Sequence, residues 1–346
     1  MTPLAALRTS VMVRVGEVVN RTFVLPLVIF HPTSRCNSRC VSCDWWKSSG
    51  SSDLTLEEID RLAGDLSRLG TKLVVFSGGE PLLRPEVFDA AALFRRRNIE
   101  LHLLTSGVLL DRSVDEVARQ FRRVVISLDA ATEADYQRIR GVNALATVER
   151  GVARLRRAAP GLSVSARATI HRLNFRAVPD LIRHARAMAL DSISFLPADV
   201  SSMAFGRQRP VDAETLALSR TEVAEFRAIV DEVIAAFAAE FASGFIAESP
   251  EKLERLPQYY AALAGDGPFP PVACNAPWMS IVVEGDGAVR PCFFHDRIGN
   301  IRNESLAEIV GERLTAFRAA LEVSTNPVCE RCVCSMRTGL RSGPWH

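Results

Sequence analysis

The sequence predicts an α/β protein: a (β/α)6 partial barrel followed by a small C-terminal domain built from a β-hairpin and a helix. Three observations carry that expectation. Six short runs of β character recur between stretches of helical periodicity, which implies a parallel sheet with right-handed crossovers. The chain has 346 residues, 48% hydrophobic and 24% charged, enough for a sizeable core and long for one domain. Beyond residue 271 the pattern changes to a hairpin signal, one helix and five cysteines.

Taken in order, residues 1–23 hold Arg8, Arg14 and Arg21 among apolar positions and are expected to form an amphipathic helix packed on the barrel. Membrane contact is not expected: no run approaches the roughly 18 apolar residues of a span, and a basic helix lying on lipid is the lesser reading. The barrel is expected over residues 24–211, with strands at 24–31, 72–76, 100–104, 123–128, 163–170 and 192–196. The clearest helix covers 56–69, where Leu56, Ile59, Leu62, Leu66 and Leu69 share a face and Thr55 and Glu58 form a capping box. Residues 212–271 read as a helical segment and linker, in which 245–263, with Tyr259 and Tyr260, is expected to shape a pocket. In the last part, 272–346, apolar runs at 279–284 and 288–292 flank Gly285-Asp286-Gly287, a hairpin signal. A helix from about residue 304 to 320 follows, with Leu306, Ile309, Val310, Leu314 and Phe317 inward.

Lysine plus arginine number 42 against 40 acidic residues, a net charge of +2 that gives no reason to expect nucleic acid. Eight cysteines without a secretory signal point to a reducing, cytoplasmic setting and to metal binding rather than disulfides.

The spacing Cys36-x3-Cys40-x2-Cys43, just after the first predicted strand, is the most informative feature. A [4Fe-4S] cubane is normally held by four thiolates, so a loop with three leaves one iron open to a small molecule. Zinc is the other chemistry such thiols serve. The loop, with Ser77-Gly78-Gly79-Glu80-Pro81 after the second strand, resembles the radical S-adenosylmethionine (SAM) superfamily. That resemblance implies that SAM chelates the open iron and that Gly78, Gly79 and Glu80 form the segment facing its amino group. By position in the barrel, Thr105 and Ser127 are expected to contact ribose or methionyl oxygens. Arg167 is expected to pair with the carboxylate, which suits its planar fork. One departure is Ser42, where the family usually has an aromatic residue against adenine.

Cys274, Gly287, Cys292, Cys329 and Cys332 resemble the twitch domain, the short form of the SPASM domain, whose four cysteines hold an auxiliary [4Fe-4S] cluster. Cys334 stands as an alternative ligand to Cys332, and a zinc ribbon is the other reading of the set. The resemblances, over residues 24–335, imply two [4Fe-4S] clusters, SAM and an external electron donor such as flavodoxin or ferredoxin. They imply reductive SAM cleavage to a 5′-deoxyadenosyl radical that takes a hydrogen atom from substrate. The reading adopted is oxidation of a small molecule, with the auxiliary cluster as electron acceptor, as in aminocyclitol dehydrogenases. Asp199, His171, His295 and Arg207 are the candidate base and substrate contacts. Two alternatives stay open: a peptide-modifying maturase, against which the short 1–23 segment and the missing second auxiliary cluster weigh, and a non-enzymatic iron-sulfur carrier or redox sensor. Substrate identity and oligomeric state are not written in the sequence.

Overall fold

A computed structural model describes residues 3–211, 213–334 and 336–337. Six strands, β1 (Leu27–Phe30), β2 (Leu73–Phe76), β3 (Glu100–Thr105), β4 (Arg123–Ser127), β5 (Ser163–Ile170) and β6 (Ile193–Pro197), pair in parallel with sequence neighbours adjacent. The helices are α1 (Pro3–Val19), α2 (Leu56–Arg68), α3 (Val87–Arg95), α4 (Val114–Gln120), α5 (Glu133–Arg140), α6 (Leu145–Ala158) and α7 (Val178–Ala187). From α2 onward they are the crossovers of an open barrel. The predicted strands stand within a few residues of the observed ones, and α2 begins at the predicted capping box.

Alternation along each strand divides core from lumen. On β4, Val124 and Ile126 are fully buried, while Arg123, Val125 and Ser127 face the other way and are half-buried. On β5, Val164, Ala166, Ala168 and Ile170 are buried and Arg167 is exposed on the opposite face. The buried side carries edge-packed rings, with Phe76 at 5.6 Å from Phe30, 5.8 Å from Phe94 and 5.5 Å from Phe121.

The predicted hairpin forms, but it does not stand apart. Strand β7 (Ser280–Val283) pairs in parallel with β1, Leu27 opposite Ser280, and β8 (Ala288–Arg290) and β9 (Gly299–Asn300) follow antiparallel. One nine-stranded sheet, in the order β6-β5-β4-β3-β2-β1-β7-β8-β9, therefore carries both cysteine groups. The C-terminal helical run begins at Leu306, passes through a π-turn at Ile309–Arg313 and continues to Ala319. It buries Leu306, Ile309, Val310 and Leu314.

One expectation changes. Tyr260 is not a pocket residue: it is fully buried, its hydroxyl donates to the Ile170 carbonyl at 2.5 Å and accepts from the Ala198 amide at 3.0 Å, clasping the ends of β5 and β6. Helix α1 packs on the barrel: among its side chains described from Ala6 onward it buries Thr9, Val13 and Gly16, with Val13 against Leu27, Leu73 and Met279 where β1 and β2 begin.

Candidate functional site

The loop from His31 to Asp44 leaves β1 at the carboxyl end of the barrel and is held by backbone bonds from four directions. The His31 amide donates to Val283 on β7 at 2.9 Å, Gly79 to Thr33 at 3.2 Å and Glu80 to Arg35 at 2.8 Å. Arg39 and Val41 donate to the carbonyls of Arg140 and Ile139, and Asp44 donates to Phe205. Asp53 takes the Thr33 hydroxyl at 2.5 Å and the Ser34 amide and hydroxyl at 3.0 and 2.7 Å. Gly79 has to be glycine here, since a Cβ would lie 2.0 Å from the Arg35 carbonyl oxygen.

Buried charges brace the loop from below. Glu80, 1% exposed, accepts from the Thr105 hydroxyl, the Ser106 amide and hydroxyl and the Leu82 amide, all within 3.1 Å. Thr105 also accepts the Gly107 amide at 3.0 Å, so its hydroxyl serves the Glu80 clasp instead of the lumen. Arg140 pairs with Asp129 at 2.7 Å; burial pushes the Cys40 thiol up, and the nearby Arg140 guanidinium works against that rise. Arg207 pairs with Asp199 at 2.9 Å, both side chains at most 2% exposed, and its other nitrogen donates to the Ser42 carbonyl at 2.6 Å.

Asp199 and Arg207, expected as a base and a substrate contact, are thus closed into a latch between β6 and the cysteine loop. His171 is enclosed as well: its Nδ1 accepts the Leu173 amide at 3.2 Å, and burial pushes its pKa down to about 4. Ser127 and Arg167, register partners on β4 and β5, do face the lumen, where Arg167 Nε donates to Ser194 at 3.2 Å.

The thiols show a shared pattern. Cys36 accepts an amide from Ser38, Cys43 from Trp45, Cys274 from Ala276, Cys292 from Phe294 and His295, and Cys332 from Cys334. A donor two residues on stabilises sulfur that carries negative charge. Burial, and then the neighbouring thiols, pushes Cys43 and Cys292 up to about 12 and Cys329 to about 11. Metal loading must therefore displace protons. Near Cys40 and Cys43, Arg140 Nε and Arg207 Nε are buried without a hydrogen-bond partner, as are both ring nitrogens of His31. The two arginine N–H groups, and the single N–H of the imidazole that burial keeps neutral, are donors of the kind cluster sulfides accept, so the residues present fit an iron-sulfur cluster.

Cys274, Cys292, Cys329, Cys332 and Cys334 influence one another electrostatically and form the second group. His295, expected as a base, is placed here: its Nε2 lies 3.3 Å from Cys329 Sγ and its ring is 4.9 Å from Phe317, edge on. Arg290 holds the His295 carbonyl at 2.8 Å and Glu284, which also takes Arg297, at 2.8 Å.

A family model described as the radical SAM superfamily matches residues 30–185, and an iron-sulfur cluster-binding SPASM domain matches residues 274–333. The chain carries a radical SAM domain followed by a SPASM domain. PqqA peptide cyclase of Gluconobacter oxydans is 28% identical over 295 residues, 80% of this chain and 74% of that one. Fe-coproporphyrin III synthase of Methanosarcina barkeri is 32% identical over 162 residues, 44% of this chain but only 39% of that one. Crystal structures of Streptococcus suis SuiB, bound to S-adenosylmethionine or to the precursor peptide SuiA, share the fold at 14% identity and a TM-score of 0.64. They cover 93% and 92% of this chain, and 75% and 73% of theirs.

The radical SAM domain brings a [4Fe-4S] cluster and SAM, and the SPASM domain brings further iron-sulfur chemistry. Sequence reasoning missed Asp53, Arg140 and Glu284, the charged residues that brace the two cysteine regions. Each is an ordinary surface-type residue by pattern, and only its partners in the fold mark it, with Arg140 and Glu284 buried and Asp53 half-buried. His31, next to the loop, could have been noticed from its place in the motif.

Proposed function

We propose that this radical SAM enzyme modifies a peptide, acting on an amino-acid side chain held between its two cysteine regions. The observation that supports this is the extent of similarity. PqqA peptide cyclase matches across both the barrel and the C-terminal domain, whereas likeness to Fe-coproporphyrin III synthase is confined to 44% of the chain. The small-molecule dehydrogenase reading shares the chemistry, but the similarity that extends over 80% of the chain is to a peptide cyclase.

When bound, the reduced cluster and SAM supply a carbon radical that removes a hydrogen atom from the substrate. Cys36, Cys40 and Cys43 hold that cluster. The Gly78–Glu80 backbone, kept rigid by the buried Glu80, faces the SAM amino group, and Arg167, open to the lumen, takes its carboxylate. Ser127 adds a hydroxyl on the same wall. Cys274, Cys292, Cys329 and Cys332 hold the auxiliary cluster, Cys332 being preferred to Cys334 because its sulfur accepts the amide two residues on. His295 donates to Cys329. The aromatic side chains of Trp45, Phe205 and Phe293 around His31 keep water from the space between the two regions.

The test is to incubate anaerobically reconstituted, reduced enzyme with SAM and the small peptides encoded beside its gene. Expected is peptide-dependent 5′-deoxyadenosine and a peptide mass change. Turnover of a non-peptide metabolite, with every such peptide inert, would return the dehydrogenase reading.

A further inference from the structure

Helix α1 leaves uncovered what the rest of the protein hides. Large apolar side chains exposed among the described residues are Leu7 at 51%, Val11 at 45%, Val15 at 46%, Val18 at 86%, Val19 at 49% and Phe23 at 47%, and beyond them only Trp46 and Met203. At about 100° per residue, Leu7, Val11, Val15 and Val18 fall in one arc of about 80°, with Val19 beyond its edge. Arg14 borders the arc on one side and Arg8 on the other. The opposite face, Thr9, Val13 and Gly16, already packs on the barrel, so the stripe is not waiting for a partner within the fold.

The charges say what covers it. Residues 3–23 carry Arg8, Arg14 and Arg21 against a single acid, Glu17, which pairs with Arg14 at 2.8 Å. Arg21 lies over the Phe23 ring, 6.0 Å from its centroid. A second copy docked face to face by a two-fold axis would bring these arginines against one another. A lipid surface with anionic headgroups neutralises them while its acyl boundary takes the valines, leucine and phenylalanine.

We propose that α1 and Phe23 dock the enzyme reversibly on an anionic membrane surface. No described helix is long and apolar enough to cross a membrane, so the contact is peripheral. Because Val13 packs against the first residues of β1 and β2, Leu27 and Leu73, docking occurs at the barrel end opposite the cysteine loop. The mouth of the barrel stays open to substrate on the bound protein.

The test is flotation of the full-length, reconstituted enzyme with vesicles of phosphatidylcholine alone or mixed with phosphatidylglycerol. Binding should be roughly 30- to 150-fold stronger to the mixed vesicles and should weaken with salt, as expected for two to three arginines near the surface. Arg8→Glu with Arg14→Glu, and separately Val11→Asp with Val15→Asp, should each abolish flotation while iron content and far-UV circular dichroism stay unchanged. If the aspartate pair does not fold, Val11→Ser with Val18→Ser replaces it and should still reduce flotation severalfold. Equal binding to both vesicle types, or none to either, overturns the proposal. So does a concentration-dependent dimer in sedimentation equilibrium that the Val11→Asp, Val15→Asp variant dissolves while vesicles have no effect.

Discussion

The two cysteine regions are held in opposite ways. Around Cys36, Cys40 and Cys43 the polypeptide is braced before any cluster arrives: Asp53, Glu80, the Asp129–Arg140 pair and the Asp199–Arg207 pair tie the loop to the ends of β2, β3, β4 and β6. The C-terminal group is drawn from the stretch before β7, the turn after β8 and a short tail in which Cys332 is half-buried and Cys334 exposed. Its bracing is one carboxylate, Glu284, and one imidazole, His295. The first site is a preorganised socket, and the second relies on its cluster to hold its ligands together.

The largest break in that contrast is expected from Arg140→Met. It leaves Asp129 buried and unpaired beside the cysteine loop, so stability in urea should fall by about 3–5 kcal/mol and the SAM cluster should fail to load. Cys329→Ser should leave the barrel's unfolding midpoint nearly unchanged while iron falls toward half. Equal destabilisation by both changes would mean that the two regions fold as one socket.

Next in size is the choice within the tail. Cys332→Ser should strip the auxiliary cluster, whereas Cys334→Ser should retain most of its iron, read by iron content and electron paramagnetic resonance. The reverse order would show that Cys334 is the ligand.

A smaller effect is expected from His295→Phe, which keeps the ring contact with Phe317 but loses the donor to Cys329. With less hydrogen bonding to a ligand sulfur, the auxiliary cluster should shift to a more negative reduction potential in spectroelectrochemical titration, without loss of iron. An unmoved potential would leave His295 a packing residue only.

The smallest concerns the strap between the regions, where Arg302 takes Glu58 of α2 at 2.7 and 2.8 Å. Hydrogen bonding from Arg302 holds the Glu58 carboxyl at about 2, below its ordinary 4.5. A carboxyl depressed in the folded state contributes stability above pH 4.5 and loses it as pH falls through about 2. Being partly exposed, the pair should contribute less than about 1 kcal/mol. Urea unfolding of Glu58→Gln should therefore differ slightly from the unmutated chain at neutral pH and converge with it toward pH 2; a constant difference would assign the effect to packing.

The barrel was legible because it is written locally. Each strand is a short apolar run, the capping box of α2 stands in sequence, and Cys36, Cys40 and Cys43 announce their chemistry by spacing. The pairing of β7 with β1 was not, since a parallel neighbour far along the chain leaves no local signature. Asp199 and Arg207 were singled out for a related reason: a polar residue at a strand end reads as chemistry, and only three dimensions show the buried ion pair that these two form. Thr105 was expected to contact ribose or methionyl oxygens, and its hydroxyl donates to the carboxylate of Glu80. His295 was expected as a base or substrate contact, and its ring nitrogen lies 3.3 Å from Cys329 Sγ.

The junction of β7 with β1 also bears on synthesis. β1 can pair with β2 soon after it emerges, but its other edge has to wait for a strand roughly 250 residues further on. At translation rates of about 5–20 residues per second that is a wait of roughly 12–50 s, with Leu27–Phe30 presenting an open apolar edge. The segment that carries the cysteine loop is thus among the first to form and among the last to be sealed, so a nascent chain halted before residue 280 would expose an apolar strand edge just before the thiols of Cys36, Cys40 and Cys43.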